Sequence, residues 1–330
     1  MKALFYNFKN KHFFLKEASI PKIKNEEVLV MVKTSSLCGS DLHIINGPLT
    51  KKAYNKKEII LGHSFSGVVE KIGPGVKGFK KGDRVFASNF IWCGKCQRCK
   101  NGKENLCDSR YVFGMEKQGS HAEYISVPRR VLFPLPKEID FERGSLIADV
   151  LALCLHAIEK ANLKKEEKIA ILGLGSIGLC LGMILKDKNK IFVFDPLKQR
   201  QFLAGKLFSA EILSKKEERN NFDTVFEASG EKKSLDRGFK MLKRGGKIVL
   251  IGVQEGSYKL NAFKTISREI SVLGVFNHSI KDIKSGLSLI KREKIDLKRI
   301  ISHRFPLKEG TKAYNLLRKG AGSKIVFNIK

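Results

Sequence analysis

The stretch KIAILGLGSIGLCLGMILK, from Lys168 to Lys186, restricts the fold of this chain more than any other. A short apolar run, Lys168 to Leu172, leads into Gly173, Gly175 and Gly178 in a G-x-G-x-x-G turn. The turn opens a helix, read as Leu179 to Lys186. That context gives the glycines work to do. The first permits a tight turn, the second lets backbone approach a pyrophosphate, and the third lets helix and strand pack closely. The free N–H groups and positive dipole end of the helix suit phosphate. Gly173, Gly175, Ser176, Ile177 and Gly178 are therefore the candidate dinucleotide-binding positions. The next apolar strand, Ile191 to Phe194, is followed by Asp195, twenty-two residues after Gly173. A carboxylate there accepts hydrogen bonds from ribose hydroxyls and repels a 2′-phosphate, which favours NAD over NADP. Arg200, close by, pulls the other way.

The pattern continues on both sides. Phe222 to Glu227 and Lys247 to Gly252 read as further strands with helical segments between them. Strand and helix in alternation imply a parallel sheet with crossover helices. Before Ser145 the character differs: short β-branched runs such as Val28 to Val32, Phe65 to Ile72 and Tyr124 to Val127 lie between Gly-rich turns, an all-β-leaning region. Leu146 to Leu163 reads as a helix. The last forty or so residues read as helix, strand (Ile300 to Phe305), helix (Lys308 to Lys319) and strand (Lys324 to Ile329). A length of 330 residues suits two domains.

Seven cysteines are present, four of them between Cys93 and Cys107. The segment WCGKCQRCKNGKENLC spaces Cys93, Cys96, Cys99 and Cys107 as C-x2-C-x2-C-x7-C. Four thiolates around one tetrahedral Zn²⁺ account for that spacing, and such a closed shell is structural. An iron–sulfur cluster is the competing metal, without an evident redox partner here. Cys38 in SSLCGSDLH, His63 in ILGHSFSGVV and Asp149 in SLIADVLALC are three dispersed donors. Their types suit zinc with an open fourth position, although spacing alone does not join them.

The formal charge of +30 divides as +11 over residues 1–150 and +19 over residues 151–330. It is spread along the chain and carries no aromatic-interleaved basic motif, so nucleic acid is not the expected partner. The apolar runs are short or broken by charge, which excludes a membrane span. The opening MKALFYNFKN is too short in apolar residues for a signal peptide, and the expected location is cytoplasmic.

These motifs, in this order, resemble the zinc-containing medium-chain dehydrogenases, the superfamily of alcohol, sorbitol and threonine dehydrogenases. The similarity is carried by CGSDLH (Cys38 to His43), LGHSFSGVV (Leu61 to Val69), GVKGFKKGDRV (Gly75 to Val85) and the four-cysteine segment. HAEY (His121 to Tyr124), GLGSIG (Gly173 to Gly178) and ISHRFPL (Ile301 to Leu307) extend it. The resemblance implies a GroES-like β domain over residues 1–148, rejoined by about 283–330, and a Rossmann domain over 149–282. It also implies a catalytic zinc on Cys38, His63 and Asp149, hence two zinc ions per chain, and a homodimer or homotetramer. Asp149 and His156 keep the family's seven-residue spacing. Ser40 would accept the proton of an alcohol, and His43 would pass it to solvent through the cofactor ribose. The implied function is oxidation of a secondary alcohol, polyol, sugar or amino-alcohol, or the reverse. Three positions depart from the family: Ser64 follows His63 where relatives carry Glu, Val150 follows Asp149 where sorbitol-type relatives have Glu-Pro, and GVFNH (Gly274 to His278) lacks an Arg. Two other functions compete: a zinc-free enoyl or quinone reductase of the same fold, and a non-catalytic binding protein using its basic surface.

Overall fold

The computed structural model describes residues 1–46, 57–214, 219–253, 256–292 and 294–330. Two compact units emerge. The first comprises Met1–Asp149, His278–Lys291 and Asp296–Lys330; the second comprises Val150–Asn277 and Arg292–Ile295. The chain re-enters the first unit at His278, slightly before the expected 283.

The first unit is built from β1 (Lys2–Asn7), β2 (His12–Glu17), β3 (Glu27–Ser36), α1 (Gly39–Asn46), β4 (Glu58–Ile60), β5 (Ser64–Ile72), β6 (Arg84–Ala87), β7 (Phe90–Ile91), α2 (Gln97–Lys100), β8 (Tyr111–Val112), β9 (Tyr124–Pro128), β10 (Leu132–Pro134) and α3 (Phe141–Gly144). Its main sheet runs β10-β6-β5-β3 and continues into the last two strands of the chain, with β9 also on β3. β3 (EVLVMVKTSS) is the hub: it pairs antiparallel with β5 and with β9. Val28, Val30, Val32 and Thr34 are buried on one face of β3, and Leu29 and Ser35 are buried on the other, so strict alternation is missing from its sequence. A core of aromatic and aliphatic side chains, including Tyr6, Phe65, Phe90, Phe113 and Phe327, fills this unit.

A wide π-helical turn, Ile147–Ala152, carries the chain from the first unit, whose opening segment ends at Asp149, into the second and continues into α4 (Leu153–Ala161). There follow β11 (Lys168–Leu172), α5 (Ser176–Leu185), β12 (Lys190–Phe194), α6 (Lys198–Phe208), β13 (Glu211–Ile212), β14 (Phe222–Glu227), α7 (Lys232–Met241), β15 (Leu242–Leu250), α8 (Ala262–Ser267) and β16 (Ser271–Gly274). The six strands are parallel, in the order β13-β12-β11-β14-β15-β16. This is the doubly wound order, with its switch point between β11 and β14. Helix α5 starts at Ser176, three residues before the expected Leu179, because Gly175 already serves as its N-cap. β15 starts at Leu242, before the expected Lys247. Phe222 already pairs with Leu242, across a register shift that precedes Thr224.

Back in the first unit come α9 (Ile280–Lys291), β17 (Ile301–Phe305), α10 (Gly310–Arg318) and β18 (Lys324–Asn328). β18 pairs with β3, Val326 opposite Ser36. The C-terminal strand therefore lies beside the loop that carries Cys38, and Leu37 N–H donates to the Ile325 carbonyl (2.9 Å). Among the described residues no helix is long and apolar enough to cross a membrane.

Candidate functional site

Three elements of the first unit bring Cys38, His63 and Asp149 together. Cys38 precedes α1. Asp41, in the first turn of α1, accepts the Cys38 backbone N–H on Oδ2 (3.0 Å) and so anchors the start of the helix. His63 precedes β5. Its neighbour Gly62 has a φ of +89°, and a Cβ there would meet the His121 ring at 2.5 Å, so only glycine lets the strand begin in this way. Asp149 lies in the π-helical turn, whose extra residue widens the helix. The donor atoms of Cys38, His63 and Asp149 all lie within 4.8 Å of one another.

The surroundings suit a cation. His63 and Asp149 are buried. His63 Nε2 faces Asp149 Oδ1 at 3.6 Å, while Nδ1 faces Asp41 Oδ1 at 3.4 Å. Burial works against a charged imidazole, but the Asp149 and Asp41 carboxylates prevail and hold its pKa well above the usual value. Burial likewise opposes ionisation of Asp149, yet the Lys324 ammonium and His63 keep it below the carboxylate range. Cys38, His63 and Asp149 are the residues that would hold a metal here. Nδ1 on a carboxylate, leaving Nε2 to face the donors, is the usual second-sphere arrangement of a ligating histidine. The soft thiolate, imidazole and single carboxylate fit zinc. Ser64 fills the next position as a small buried side chain.

Two contributors escaped sequence reasoning. Asp41 stood inside the CGSDLH motif, where an acid between Cys38 and His43 was the available signal. Lys324 gave none: it comes from β18, and its Nζ reaches Asp149 Oδ2 at 3.2 Å across 175 residues of sequence. Behind Asp41, His121 contacts Ser35 Oγ through Nδ1 (2.8 Å) and Tyr314 Oη through Nε2 (2.9 Å). Burial lowers its pKa to about 4, so the ring is neutral.

Ser40 Oγ lies 3.3 Å from His63 Nε2, at the edge of the donor cluster. His43 is three residues further on α1, hence on the same helix face, and half-buried. His156, on α4, is not one of the three converging donors.

The four lobe cysteines also converge. Sγ–Sγ separations are 3.9 Å for Cys93–Cys99, 3.5 Å for Cys96–Cys99 and 4.0 Å for Cys96–Cys107. Tetrahedral zinc with its usual Zn–S bonds places sulfurs about 3.8 Å apart. Backbone amides of Lys95 and Cys96 lower the Cys93 thiol to about 6, whereas burial raises Cys99 to about 12.

In the second unit the glycine loop behaves as its spacing suggests. A Cβ on Gly173 would meet the Ser229 backbone nitrogen at 2.7 Å, and one on Gly178 would meet the Gly173 carbonyl oxygen at 1.9 Å. Gly175 faces open space, with nothing within 4 Å. Ser176 and Ile177 open α5. Asp195 is fixed to the loop: Oδ2 accepts the Leu174 N–H (2.8 Å) and Oδ1 the Leu197 N–H (2.9 Å). Arg200 Nη1 donates to Oδ2 at 3.3 Å, so the acid and the nearby cation form a pair.

A model of the alcohol dehydrogenase GroES-like domain matches residues 24–137, and a model described as zinc-binding dehydrogenase matches residues 177–292. The L-threonine 3-dehydrogenase of Caldanaerobacter subterraneus is 31% identical, over 93% of this chain and 92% of that protein. The sorbitol dehydrogenase of Halalkalibacterium halodurans is 29% identical, over 96% and 95% respectively. An alcohol dehydrogenase structure from Thermus sp. ATN1 superposes with a TM-score of 0.90 at 26% identity, covering 100% of both chains.

Proposed function

Because the chain belongs to the zinc-binding dehydrogenases of the alcohol dehydrogenase family, we propose that it oxidises a secondary alcohol, polyol, sugar or amino-alcohol at a zinc site, with NAD as acceptor. The observation that carries this reading is the convergence of Cys38, His63 and Asp149. Zinc held there supplies a Lewis acid that brings an alcohol's pKa toward neutrality, and nicotinamide supplies the hydride acceptor. The protein's own groups do the rest. Asp41 orients His63 through Nδ1. Ser40 Oγ takes up the alcohol's proton and releases its own toward His43, which delivers it to solvent. The lobe holds a second zinc with a structural role.

On the second unit, Gly175 leaves room for the pyrophosphate and the N-terminus of α5 receives its charge. Asp195 favours NAD, while its pairing with Arg200 softens the penalty on a 2′-phosphate. Cysteines clustered for metal binding suit a reducing compartment, and we place the protein in the cytoplasm.

A homo-oligomer is supported by β16. It is an edge strand of the parallel sheet, and Val272 on it is exposed, as are Phe263 and Ile266 of the preceding helix α8.

The test is a turnover screen with NAD and NADP over secondary alcohols, polyols, sugar phosphates and amino-alcohols. Chelator-sensitive reduction of NAD by at least one class is expected. Activity that survives removal of the metal would overturn the proposal.

A further inference from the structure

Lys324 is nearly sealed from solvent, at 2% exposure, and its Nζ lies 3.2 Å from Asp149 Oδ2. An ammonium buried this deeply needs a partner. Its partner here is one oxygen of a carboxylate whose other oxygen faces elsewhere: Oδ1 lies 3.6 Å from His63 Nε2, on the side of the converging donors. Apart from His63, Oδ1 has a long contact with Asn89 Nδ2, at 3.4 Å, and the carboxylate also interacts with the Ser64 side chain.

A carboxylate with both oxygens available can chelate a cation through both. At a zinc site with two other protein donors, that second oxygen would take the position a substrate needs. We propose that Lys324 is a positioning residue that restricts Asp149 to one-oxygen coordination and so keeps the fourth position of the metal open. The device depends on chain topology. β18 pairs with β3, and Leu37 N–H donates to the Ile325 carbonyl, so the strand that delivers Lys324 is tied to the loop that delivers Cys38. The inference rests on the metal-centre reading given above.

Cobalt(II) placed in the Cys38 site, with zinc retained in the lobe, provides a test that does not depend on activity. The unmodified protein should give the intense visible d–d bands of a four-coordinate centre, with a thiolate charge-transfer band that Cys38→Ser removes. In Lys324→Met, Asp149 Oδ2 is released, and the d–d bands should weaken several-fold as coordination number rises. Lys324→Arg retains a donor for Oδ2 and should restore the four-coordinate spectrum. In the Asp149→Asn background, Lys324→Met should add no further change. An unaltered spectrum in folded Lys324→Met would overturn the proposal. So would a five-coordinate spectrum in the unmodified protein, which decides the matter even if Lys324→Met does not fold. Absence of any Cys38-dependent charge-transfer band is a different failure: it would remove the metal centre itself.

Discussion

At the scale of single residues, the candidate metal centre is an arrangement of buried charges. Two buried carboxylates, a half-buried thiol and a buried ammonium gather about one buried imidazole, and neighbouring charges shift the carboxylates, the ammonium and the imidazole. Asp41 is the clearest case, because its charge faces His63 Nδ1 and its other oxygen holds the Cys38 amide. Asp41→Asn preserves the shape and removes the charge. Competition with a chelator should then show metal retention weakened by roughly 10–100-fold. Retention equal to that of the unmodified protein would leave Asp41 with only its helix-starting role. The same electrostatics set a pH dependence. The His63 pKa is raised, so the ring holds its proton to higher pH, and a metal must displace that proton. Metal affinity should therefore climb as pH rises through this range, measured by titration at fixed ionic strength. How much of this was legible beforehand follows from sequence distance. The lobe cysteines are neighbours in sequence, so their spacing alone pointed to a metal. Cys38, His63 and Asp149 come from three elements, and only a family resemblance joined them. Lys324 could not be read at all, because nothing local distinguishes it from the other lysines of a lysine-rich chain.

At the scale of elements, the glycine loop separates two kinds of glycine. Gly175→Ala adds a methyl to open space and should leave the fold intact while weakening dinucleotide binding. Gly178→Ala drives a Cβ into the Gly173 carbonyl and should lower stability by about 1–3 kcal/mol or more. Thermal melts and dinucleotide titrations of the two variants should therefore part company. Equal melting losses would mean that Gly175 is structural as well. A second element-scale test concerns the tie between α3 and the C-terminal strands. Arg304 on β17 grips Glu142 in a fork, with Nε and Nη2 each at 2.8 Å, and Asn328 Nδ2 adds a bond at 3.0 Å. The Arg304 guanidinium holds the Glu142 pKa below the ordinary range. A depressed carboxylate stabilises the fold above its unfolded pKa of about 4.3 and loses that effect as pH falls through the folded value. The pair is partly solvated, so its contribution is on the order of 1 kcal/mol. Glu142→Gln should lower the melting temperature near neutral pH, and the gap should close in acid. These elements were largely readable: β11 and β14 fall where their apolar runs predicted, because parallel buried strands are written as continuous apolar stretches. Helix α1 was not readable, since its eight residues carry too little periodicity to distinguish a helix from a turn.

At the scale of the whole molecule, the six-stranded sheet ends in an edge that a second copy could extend. Val272→Lys places a charge on β16 and should block strand pairing there. Light scattering should give a mass that is a multiple of the single chain for the unmodified protein, and a smaller one for the variant. A variant of unchanged mass would move the contact elsewhere. The central claim, however, is that two metal sites of different character coexist in one chain. Metal analysis of the purified protein and of Cys38→Ala tests it most directly. Two zinc ions are expected in the first, and in the second one zinc, an intact fold and no dehydrogenase activity. A chain that holds a single zinc, lost on changing the lobe cysteines and untouched by Cys38→Ala, would contradict it.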